Sequence, residues 1–561
     1  MISKNMLTKI KYSHIFIFIM AVLFSLPMLR SGWITSEGLR LVGVNSTDGL
    51  WNLSLIEELK HHFPPQHPGF ALQPIKGYHF LYHLLLAVIA KITLIPTGIL
   101  YFQIFPVLTA YLWGLGVYKV VYEWFKNKSA ALFSVFLSFF GSSFAFIWLL
   151  FGRAVDIDNV FGMSQSFNST MVNPAFASSV AILIWAFYFL LKFLKTKSRR
   201  WVLLLAITAG LSVGFKAYAG MIIMGAFAVT MLKELVLDRD KRLLPYFLLA
   251  LMISLVVFLP FNAQYGFLVW YSFWPLKRMF HGPLSFTKYD SLWDQYEYYE
   301  SSYGLFKLYA LGLVLFLFGN IGTRVVAFLS LWKKVKGGLL NSSTVFYVAM
   351  ILVSTVIPMF FIQPIGVFNM IQMYWYFLFL MAVLAGPGAV IMAQKIANKS
   401  LRLAFYILIV ILSLPSNLVG INNYLRDSGS VISTHELELF TNLRSIGSYD
   451  STVLVLPGEE VNTTQELDGW FWSSIGDLAI PAFGEKRLYI ANEVVQFPYK
   501  FKDERLAVIA QIKDLKTDSY DIIKEEKIEL IVTKNNVDWL DSWENVELLF
   551  ENSSGRIYKI L

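Results

Sequence analysis

The sequence contains a series of apolar stretches, each close to the length of a helix that crosses a lipid bilayer. The hydrocarbon core of a bilayer is about 30 Å thick, so a spanning helix needs about 20 predominantly apolar residues. Such runs occur at 14–30, 99–123, 130–151, 175–194, 217–233, 243–261, 305–331, 344–362, 370–393 and 402–420. Because lipid cannot satisfy unpaired backbone groups, the runs predict helices rather than irregular chain. We therefore predict a polytopic α-helical membrane protein.

Two further apolar stretches, 78–92 and 201–213, are shorter, and the positions of lysine and arginine decide how they are interpreted. Cytoplasmic loops of membrane proteins collect these basic residues. All the basic clusters lie on one side of the membrane only if 201–213 crosses it and 78–92 stays outside, in or near the interface. This arrangement predicts about eleven crossings of the plasma membrane, a cytoplasmic N-terminus and an extracytoplasmic C-terminus.

The composition supports this class of protein and excludes others. Hydrophobic residues make up 56% of the chain and charged residues only 15%, which is too apolar for a soluble globular protein. The net charge of +9 comes from short basic clusters between the apolar runs, so we expect no nucleic-acid partner. Cysteine is absent, which excludes disulfides, thiolate catalysis and metal centres bound by cysteine.

The chain changes character near residue 420, where a charged and mixed segment begins. Strand patterns occur at 451–457 and 527–534 and on both sides of an Asn-Ser-Ser-Gly turn, with helical patterns at 502–516 and 517–526. We therefore predict a membrane domain at 1–420 and an extracytoplasmic α/β domain at 421–561. The latter has no phosphate loop, metal-ligand spacing or nucleophile elbow, so we assign it no chemistry.

The first predicted outer loop, 31–98, holds the candidate residue that matters most for function. Asp48 lies at the start of a predicted helix, and Leu50, Leu53 and Ile56 are among the residues on its apolar side. In one interpretation, Thr47 or Asp48 caps this helix. In the other, the Asp48 carboxylate acts as a general base toward a hydroxyl group, or binds a metal ion that holds a phosphate. The two interpretations are compatible, because a capped helix would also hold the Asp48 carboxylate in a fixed position.

The stretch that follows Asp48, HHFPPQHPGFALQPIKGYHFLYH, contains five of the eight histidines of the chain, namely His61, His62, His67, His79 and His83. His79 and His83 are four residues apart and are predicted to share one face of a helix. A zinc hydrolase is disfavoured, because HFLYH lacks the glutamate of the HExxH motif and no third ligand is placed by spacing. We expect the histidines to bind phosphate or sugar hydroxyls, or to anchor the chain at headgroup depth.

The order of these features resembles a known family. An acidic residue follows the first membrane helix, then a Pro-Pro loop, then an aromatic and histidine-rich helix, seen here as Asp48, HHFPPQHP and GYHFLYHLLLAVIAKI. This order resembles the GT-C fold membrane glycosyltransferases, which include protein O-mannosyltransferases, aminoarabinose transferases and oligosaccharyltransferase catalytic subunits. The specific likeness covers residues 40–92. It implies sugar transfer from a polyprenyl-phosphate donor to a glycan, lipid or protein acceptor at the extracytoplasmic face, with membrane lipid as a further partner.

The resemblance also implies roles for individual acids. Asp48 is similar to the first-loop acid of the family, which serves as catalytic base or metal ligand. Asp156 and Asp158, beside Arg153, are the candidates for an acid and a substrate-binding cation in the second outer loop. If a divalent metal such as Mg²⁺ or Mn²⁺ takes part, Asp48 and Asp158 are its expected ligands.

Other basic side chains are expected to contact the substrate. Lys216, in the turn GLSVGFKAYAG, resembles a basic residue that similar enzymes place near the lipid phosphate, although snorkelling to the interface also explains it. Arg278 belongs to an aromatic-rich outer segment that is either an interfacial belt or the mouth of a lipid-phosphate site. Four histidines complete the predicted substrate-binding set, namely His62, His67, His79 and His83.

The expected reaction is an inverting glycosyl transfer, and two other functions stay open. A transporter or lipid flippase also has many helices and polar groups within the membrane. A non-catalytic component of surface-polysaccharide assembly is the other alternative. The sequence shows no repeated halves of the kind common in transporters, and a long first outer loop with a folded tail favours a transferase.

Overall fold

The computed structural model describes residues 4–147, 161, 170–262, 268–281, 287–363, 367–456, 477–491, 501–534 and 537–561. The chain divides into two compact units. The first unit consists of Met1–Leu26, Gly77–Tyr82 and Pro106–Leu425, and the second of Pro27–Lys76, His83–Phe105 and Arg426–Leu561. The second unit therefore combines most of the first loop with the C-terminal segment, whereas the predicted division placed that loop with the membrane helices.

Helices form most of the described structure. In chain order they are α1 (Lys4–Leu29), α2 (Asp48–His61), α3 (Leu81–Thr93), α4 (Thr97–Phe125), α5 (Lys128–Phe140), α6 (Pro174–Thr196), α7 (Arg199–Phe215), α8 (Ala217–Val236), α9 (Leu244–Asn262), α10 (Trp274–His281), α11 (Thr287–Tyr298), α12 (Ser302–Gly319), α13 (Ala327–Lys336), α14 (Ser342–Phe360), α15 (Ile371–Gln394), α16 (Lys399–Arg426), α17 (Thr434–Ser445), α18 (Ala479–Phe483), α19 (Lys502–Leu515), α20 (Tyr520–Glu525) and α21 (Asp538–Asp541).

The strands are shorter and fewer. They are β1 (Trp33–Ile34), β2 (Gly38–Leu41), β3 (Val269–Trp270), β4 (Phe361–Ile362), β5 (Ser430–Ser433), β6 (Thr452–Leu456), β7 (Arg487–Leu488), β8 (Ile528–Thr533), β9 (Val546–Asn552) and β10 (Gly555–Ile560).

Nine helices in the described part of the chain are long and apolar enough to cross a membrane, which confirms the predicted polytopic helical fold. They are α4, α6, α8, α9, α12, α14, α15, α16 and the apolar part of α1, Tyr12–Leu29. Two of the eleven predicted crossings are shorter. Helix α7 has 17 residues and spans about 26 Å, and α5 has 13 residues. Helix α3 is likewise 13 residues long, and the location of 78–92 outside the membrane stays a prediction.

Helix α15 forms the centre of the first unit. Most of its side chains are buried, including Tyr374 and Tyr376, because the helix is apolar on all sides. A Cβ added at Gly386 would collide with the Ala130 carbonyl oxygen and the Ser134 hydroxyl of α5. Glycine at this position therefore allows α5 and α15 to approach closely. Helix α9 differs from α15 in burial, because only 11% of its most apolar segment is buried.

The second unit contains a five-stranded mixed sheet in the order β7-β6-β8-β10-β9. Strand β6 is parallel to β7 and β8, and β10 is antiparallel to β8 and β9. Helices α19 and α20 follow the predicted positions and contribute Ile512 and Ile523 to a core that also contains Leu454 and Ile531. The predicted α/β character of the C-terminal segment is therefore confirmed.

A second sheet joins the first loop to the C-terminal segment. Strand β2 pairs antiparallel with β1 on one side and with β5 on the other. Gly38 lies where β2 meets β5 and has a φ of 137°, and an added Cβ there would collide with the Ile432 carbonyl oxygen. Glycine is thus required at this position for the loop and the tail to form one sheet.

Candidate functional site

Asp48 is the first residue of α2, and its side chain is exposed. Thr47 precedes the helix, but its side chain makes no capping hydrogen bond, so the capping interpretation of Thr47 is wrong. The physical reason is local, since a 3-10 turn at Gly43–Ser46 runs directly into α2 and the Thr47 hydroxyl donates backward to the Val44 carbonyl oxygen at 3.2 Å. An acid in the first helical turn is stabilised by the helix dipole.

Buried hydrogen bonds hold the backbone that precedes Asp48. The Asn45 side chain is fully buried and its amide donates to the Ser31 hydroxyl at 2.9 Å and to the Pro27 carbonyl oxygen at 3.3 Å. The Gly43 N–H donates to the Asp427 carboxylate at 3.0 Å. These contacts connect the turn to the end of α1 and to the residue after α16. They therefore hold the backbone that leads into Asp48 in a fixed position.

Asn52 connects Asp48 to one of the predicted histidines. The buried His83 ring donates through Nε2 to the Asn52 side-chain oxygen, and the Asn52 amide donates to the Asp48 carbonyl oxygen. His83 therefore supports the first turn of α2 from α3. A substrate-binding role for His83 stays a prediction, and the contacts described make it a positioning residue.

His79 does not share a helical face with His83, so that prediction is wrong. Helix α3 begins at Leu81, and His79 lies before it, with its ring stacked on Tyr78 at a centroid distance of 4.8 Å. Gly77 has a φ of 69°, a left-handed conformation that helices avoid, and the chain stays irregular until Leu81. The i, i+4 spacing correctly indicated a helix in this region, but the helix begins at Leu81 and therefore includes His83 and not His79.

His67 is buried in the second unit. Its Nδ1 accepts from the Gly69 N–H at 3.2 Å, and its ring lies 5.0 Å from the Trp51 ring, centroid to centroid. Burial, with a smaller effect of the Arg505 charge, lowers the pKa of His67 to about 3. The imidazole is therefore neutral at physiological pH.

This shift predicts how stability depends on pH. The neutral form of His67 is favoured in the folded protein, so its contribution is complete above the ordinary pKa of about 6.5 and declines as the pH falls toward 3. Between pH 7 and pH 5 the wild type should lose about 2 kcal/mol more unfolding free energy than His67→Gln does. Denaturant unfolding at the two pH values measures the difference. His435→Gln, which removes an exposed histidine of the same unit, is the control, and an unchanged pH dependence in His67→Gln contradicts the assignment.

The other end of α2 carries a buried ion-pair network. Glu58 is fully buried, and Arg487 from β7 donates to it in a bidentate manner at 2.9 and 3.0 Å. The Tyr449 hydroxyl donates to Glu58 at 2.9 Å, and burial together with this carboxylate raises the pKa of the Tyr449 phenol. His62 accepts from Arg487 at 2.9 Å and lies 3.1 Å from Asp450. His62, which was predicted to bind substrate, thus contacts Arg487 and Asp450 of this ion-pair network.

Sequence reasoning did not find the Glu58–Arg487 pair. The available signal was a pair of adjacent glutamates, Glu57 and Glu58, between the apolar residues 55–56 and 59, which is an unusual place for charge. Their partners were hidden, because Arg487 is 429 residues away from Glu58 along the chain.

The remaining predicted cations lie in the first unit. Lys216 is buried at the junction of α7 and α8, and its ammonium lies 5.9 Å from the centre of the Tyr218 ring. Arg278 is half-buried on α10, and burial lowers its pKa. Arg153, Asp156 and Asp158 lie outside the described residues. Their predicted roles therefore stay predictions.

Among the described residues, no group of three or more His, Cys, Asp or Glu side chains is arranged to hold a metal ion. Asp48 is one of the two predicted ligands, and the other, Asp158, lies outside the described ranges. The geometry of the described residues therefore supports no step through a metal.

No family model and no curated protein matches this sequence. Solved structures do share its fold. The oligosaccharyltransferase of Archaeoglobus fulgidus in complex with zinc and sulfate has a TM-score of 0.50 and 15% identity, over 92% of this chain and 68% of that chain. AglB from Archaeoglobus fulgidus, with an inhibitory peptide and a dolichol-phosphate, has a TM-score of 0.47 and 15% identity, over 93% and 69%.

Another similar structure is the arabinofuranosyltransferase AftD from Mycobacteria, with a TM-score of 0.47 and 12% identity, over 97% of this chain and 41% of that chain. The similarity to the archaeal oligosaccharyltransferase extends over both units of the chain. This protein is therefore a polytopic membrane protein with the GT-C fold, the fold that its first-loop motifs resemble.

Proposed function

We propose that this protein is a membrane glycosyltransferase that moves a sugar from a polyprenyl-phosphate donor to an acceptor at the extracytoplasmic face. One observation carries the proposal. In a chain with the GT-C fold, the exposed carboxylate of Asp48 lies at the start of a helix, and buried hydrogen bonds fix the turn that precedes this helix. A catalytic group held in a fixed orientation avoids the entropic cost of positioning at each turnover. The N-terminus is cytoplasmic and the C-terminal segment extracytoplasmic in this proposal.

Asp48 acts as the general base. Its carboxylate accepts the proton of the acceptor hydroxyl while the acceptor oxygen forms a bond to the anomeric carbon of the donor sugar. The bond between that carbon and the phosphate oxygen breaks, and the lipid phosphate leaves with the electron pair. Because the acceptor attacks the face opposite to the leaving group, the configuration at the anomeric carbon inverts. A general base of this kind contributes about 10²–10⁴ to the rate.

Charged side chains elsewhere are assigned to the donor phosphate. Lys216 and Arg278 are the proposed anion partners, since cations pair with phosphate oxygens through charge-assisted hydrogen bonds. Asp156 and Asp158, with Arg153, are the proposed acids and cation of the second outer loop. If a divalent ion such as Mg²⁺ or Mn²⁺ takes part, its proposed ligands are Asp48 and Asp158. His62, His67, His79 and His83 stay proposed contacts of the substrate.

The test uses the purified protein in vesicles that contain polyprenyl-phosphate hexose and pentose donors with a radiolabelled sugar. We expect time-dependent loss of label from the lipid and its appearance on an added acceptor extract. Label that moves across the bilayer while still attached to its lipid would identify a flippase instead. If no donor in the set is consumed or moved, the proposal of an enzyme is contradicted, and a non-catalytic role in polysaccharide assembly replaces it.

A further inference from the structure

The second unit contains a cavity of about 1080 Å³ that the proposed reaction does not use. It is formed by the start of the first loop, the C-terminal half of α2, the end of α3, the start of α4 and α18 with its neighbours. Its volume slightly exceeds the range for small-molecule sites, which is roughly 300–1,000 Å³. Asp48 is not one of the described residues that line it. We refer to it as the first-loop cavity.

One end of the first-loop cavity is apolar and open. Trp33 and Ile34 of β1 and Leu94 after α3 line it, with exposures of 56%, 78% and 84%. Large apolar side chains are unfavourable in water at such exposure when they cluster. The lining continues into Thr97–Ile99, the first residues of the membrane-length helix α4. This end of the cavity is therefore continuous with the start of an apolar helix of membrane-spanning length.

The other end of the cavity is charged. Lys60 lies between Glu57 and Glu485, at 3.3 Å from the latter, and Arg444 lies 3.0 Å from Glu485. Both carboxylates of the lining are thus paired with cations. Lys91 is different, because its ammonium donates to the Lys60 carbonyl oxygen at 3.0 Å, and no contact with a carboxylate is seen for it among the described residues. Three cations face two carboxylates, so the cavity carries an excess positive charge.

Gly98 keeps the apolar end open. Its backbone is not in the left-handed region that requires glycine, and an added Cβ would meet no heavy atom of the described residues within 4 Å. Neither backbone conformation nor close packing explains a glycine in this helical turn, where it is less stable than alanine. A larger side chain at this position would project into open space in the lining.

From this arrangement we propose that the first-loop cavity binds the phosphate of a membrane lipid at Lys91, with the lipid chain lying along Trp33, Ile34 and Leu94. An amphiphile fits both ends, since the apolar lining takes a chain and the excess cation takes an anion. The phosphate belongs to a glycerophospholipid or to an isoprenoid lipid, and the experiment distinguishes these sources. The inference does not depend on the proposed transfer reaction.

The test is lipid retention by the purified full-length protein, measured by native mass spectrometry after exchange into detergent with equal amounts of phosphatidylglycerol and phosphatidylcholine, and separately with undecaprenyl phosphate. We expect the protein to retain an anionic lipid over phosphatidylcholine. Lys91→Gln should weaken that preference about fivefold, the effect of one lysine near a lipid surface. Gly98→Phe, which keeps every cation, should reduce retention of both anionic lipids.

Lys559→Gln removes an exposed lysine on β10, outside the cavity, and serves as the matched control with unchanged retention. Loss of phosphatidylglycerol alone in Gly98→Phe identifies a glycerophospholipid site in the cavity, and loss of undecaprenyl phosphate alone in that variant identifies an isoprenoid site there. Equal retention of phosphatidylglycerol and phosphatidylcholine, with no retention of undecaprenyl phosphate, overturns the proposal. So does wild-type retention in Gly98→Phe. Since binding alone is measured, failure here is separate from failure of the transferase assay.

Discussion

Replacing Asp48 with asparagine is expected to lower the rate of sugar transfer about 10²–10⁴-fold while the protein stays folded in the membrane. The amide has nearly the shape of the carboxylate but does not accept the acceptor proton as a base. Asp48 is exposed, and the hydrogen bonds that fix the preceding turn are made by Gly43 and Asn45. The substitution should therefore leave the fold intact. The measurement is the initial rate of label transfer in vesicles, at equal protein content and with thermal unfolding recorded in parallel.

The control for this variant is Glu37→Gln, which removes an exposed carboxylate from the same loop, between β1 and β2. It separates a specific role of Asp48 from a general effect of negative charge at the membrane surface. Turnover in Asp48→Asn within a factor of two of the wild type would remove Asp48 from the mechanism. An equal loss in Glu37→Gln would point to surface charge instead.

Arg487→Met is expected to destabilise the second unit by about 3–5 kcal/mol, because it leaves the Glu58 carboxylate buried without its cation. The pair is inaccessible to solvent and bidentate, so water does not replace the lost contacts. Chemical unfolding followed by tryptophan fluorescence, together with the rate of proteolysis of the C-terminal segment, measures the effect.

Two further variants sharpen this prediction. The double variant Glu58→Gln/Arg487→Met removes both charges, so it should recover a large part of the lost stability. Arg444→Met breaks an ion pair whose arginine is 57% exposed and should cost no more than about 1 kcal/mol. If Arg487→Met is no more destabilised than Arg444→Met, the buried pair does not stabilise this unit as described.

Local sequence patterns predicted the membrane helices and much of the secondary structure of the C-terminal segment. The runs of about 20 apolar residues identify membrane helices because lipid accepts only helices that satisfy their own backbone. Short alternating segments beside an Asn-Ser-Ser-Gly turn gave β9 and β10 for similarly local reasons. The predicted helix from 78 failed at its start, because the irregular segment after Gly77 delays α3 to Leu81.

The sequence by itself determined that this chain is a polytopic membrane protein with an α/β C-terminal segment and with Asp48 at the start of a first-loop helix. Run length, periodicity and turn residues act over a few neighbours, and these features depend on nothing else. Only the tertiary structure decided that Glu58 pairs with Arg487 and that Asn52 joins His83 to the helix of Asp48. The first-loop cavity also depends on the tertiary structure, because residues far apart in the chain line it. Such contacts join residues far apart in the chain, and they form because buried polar groups must find partners, whatever their distance along the chain.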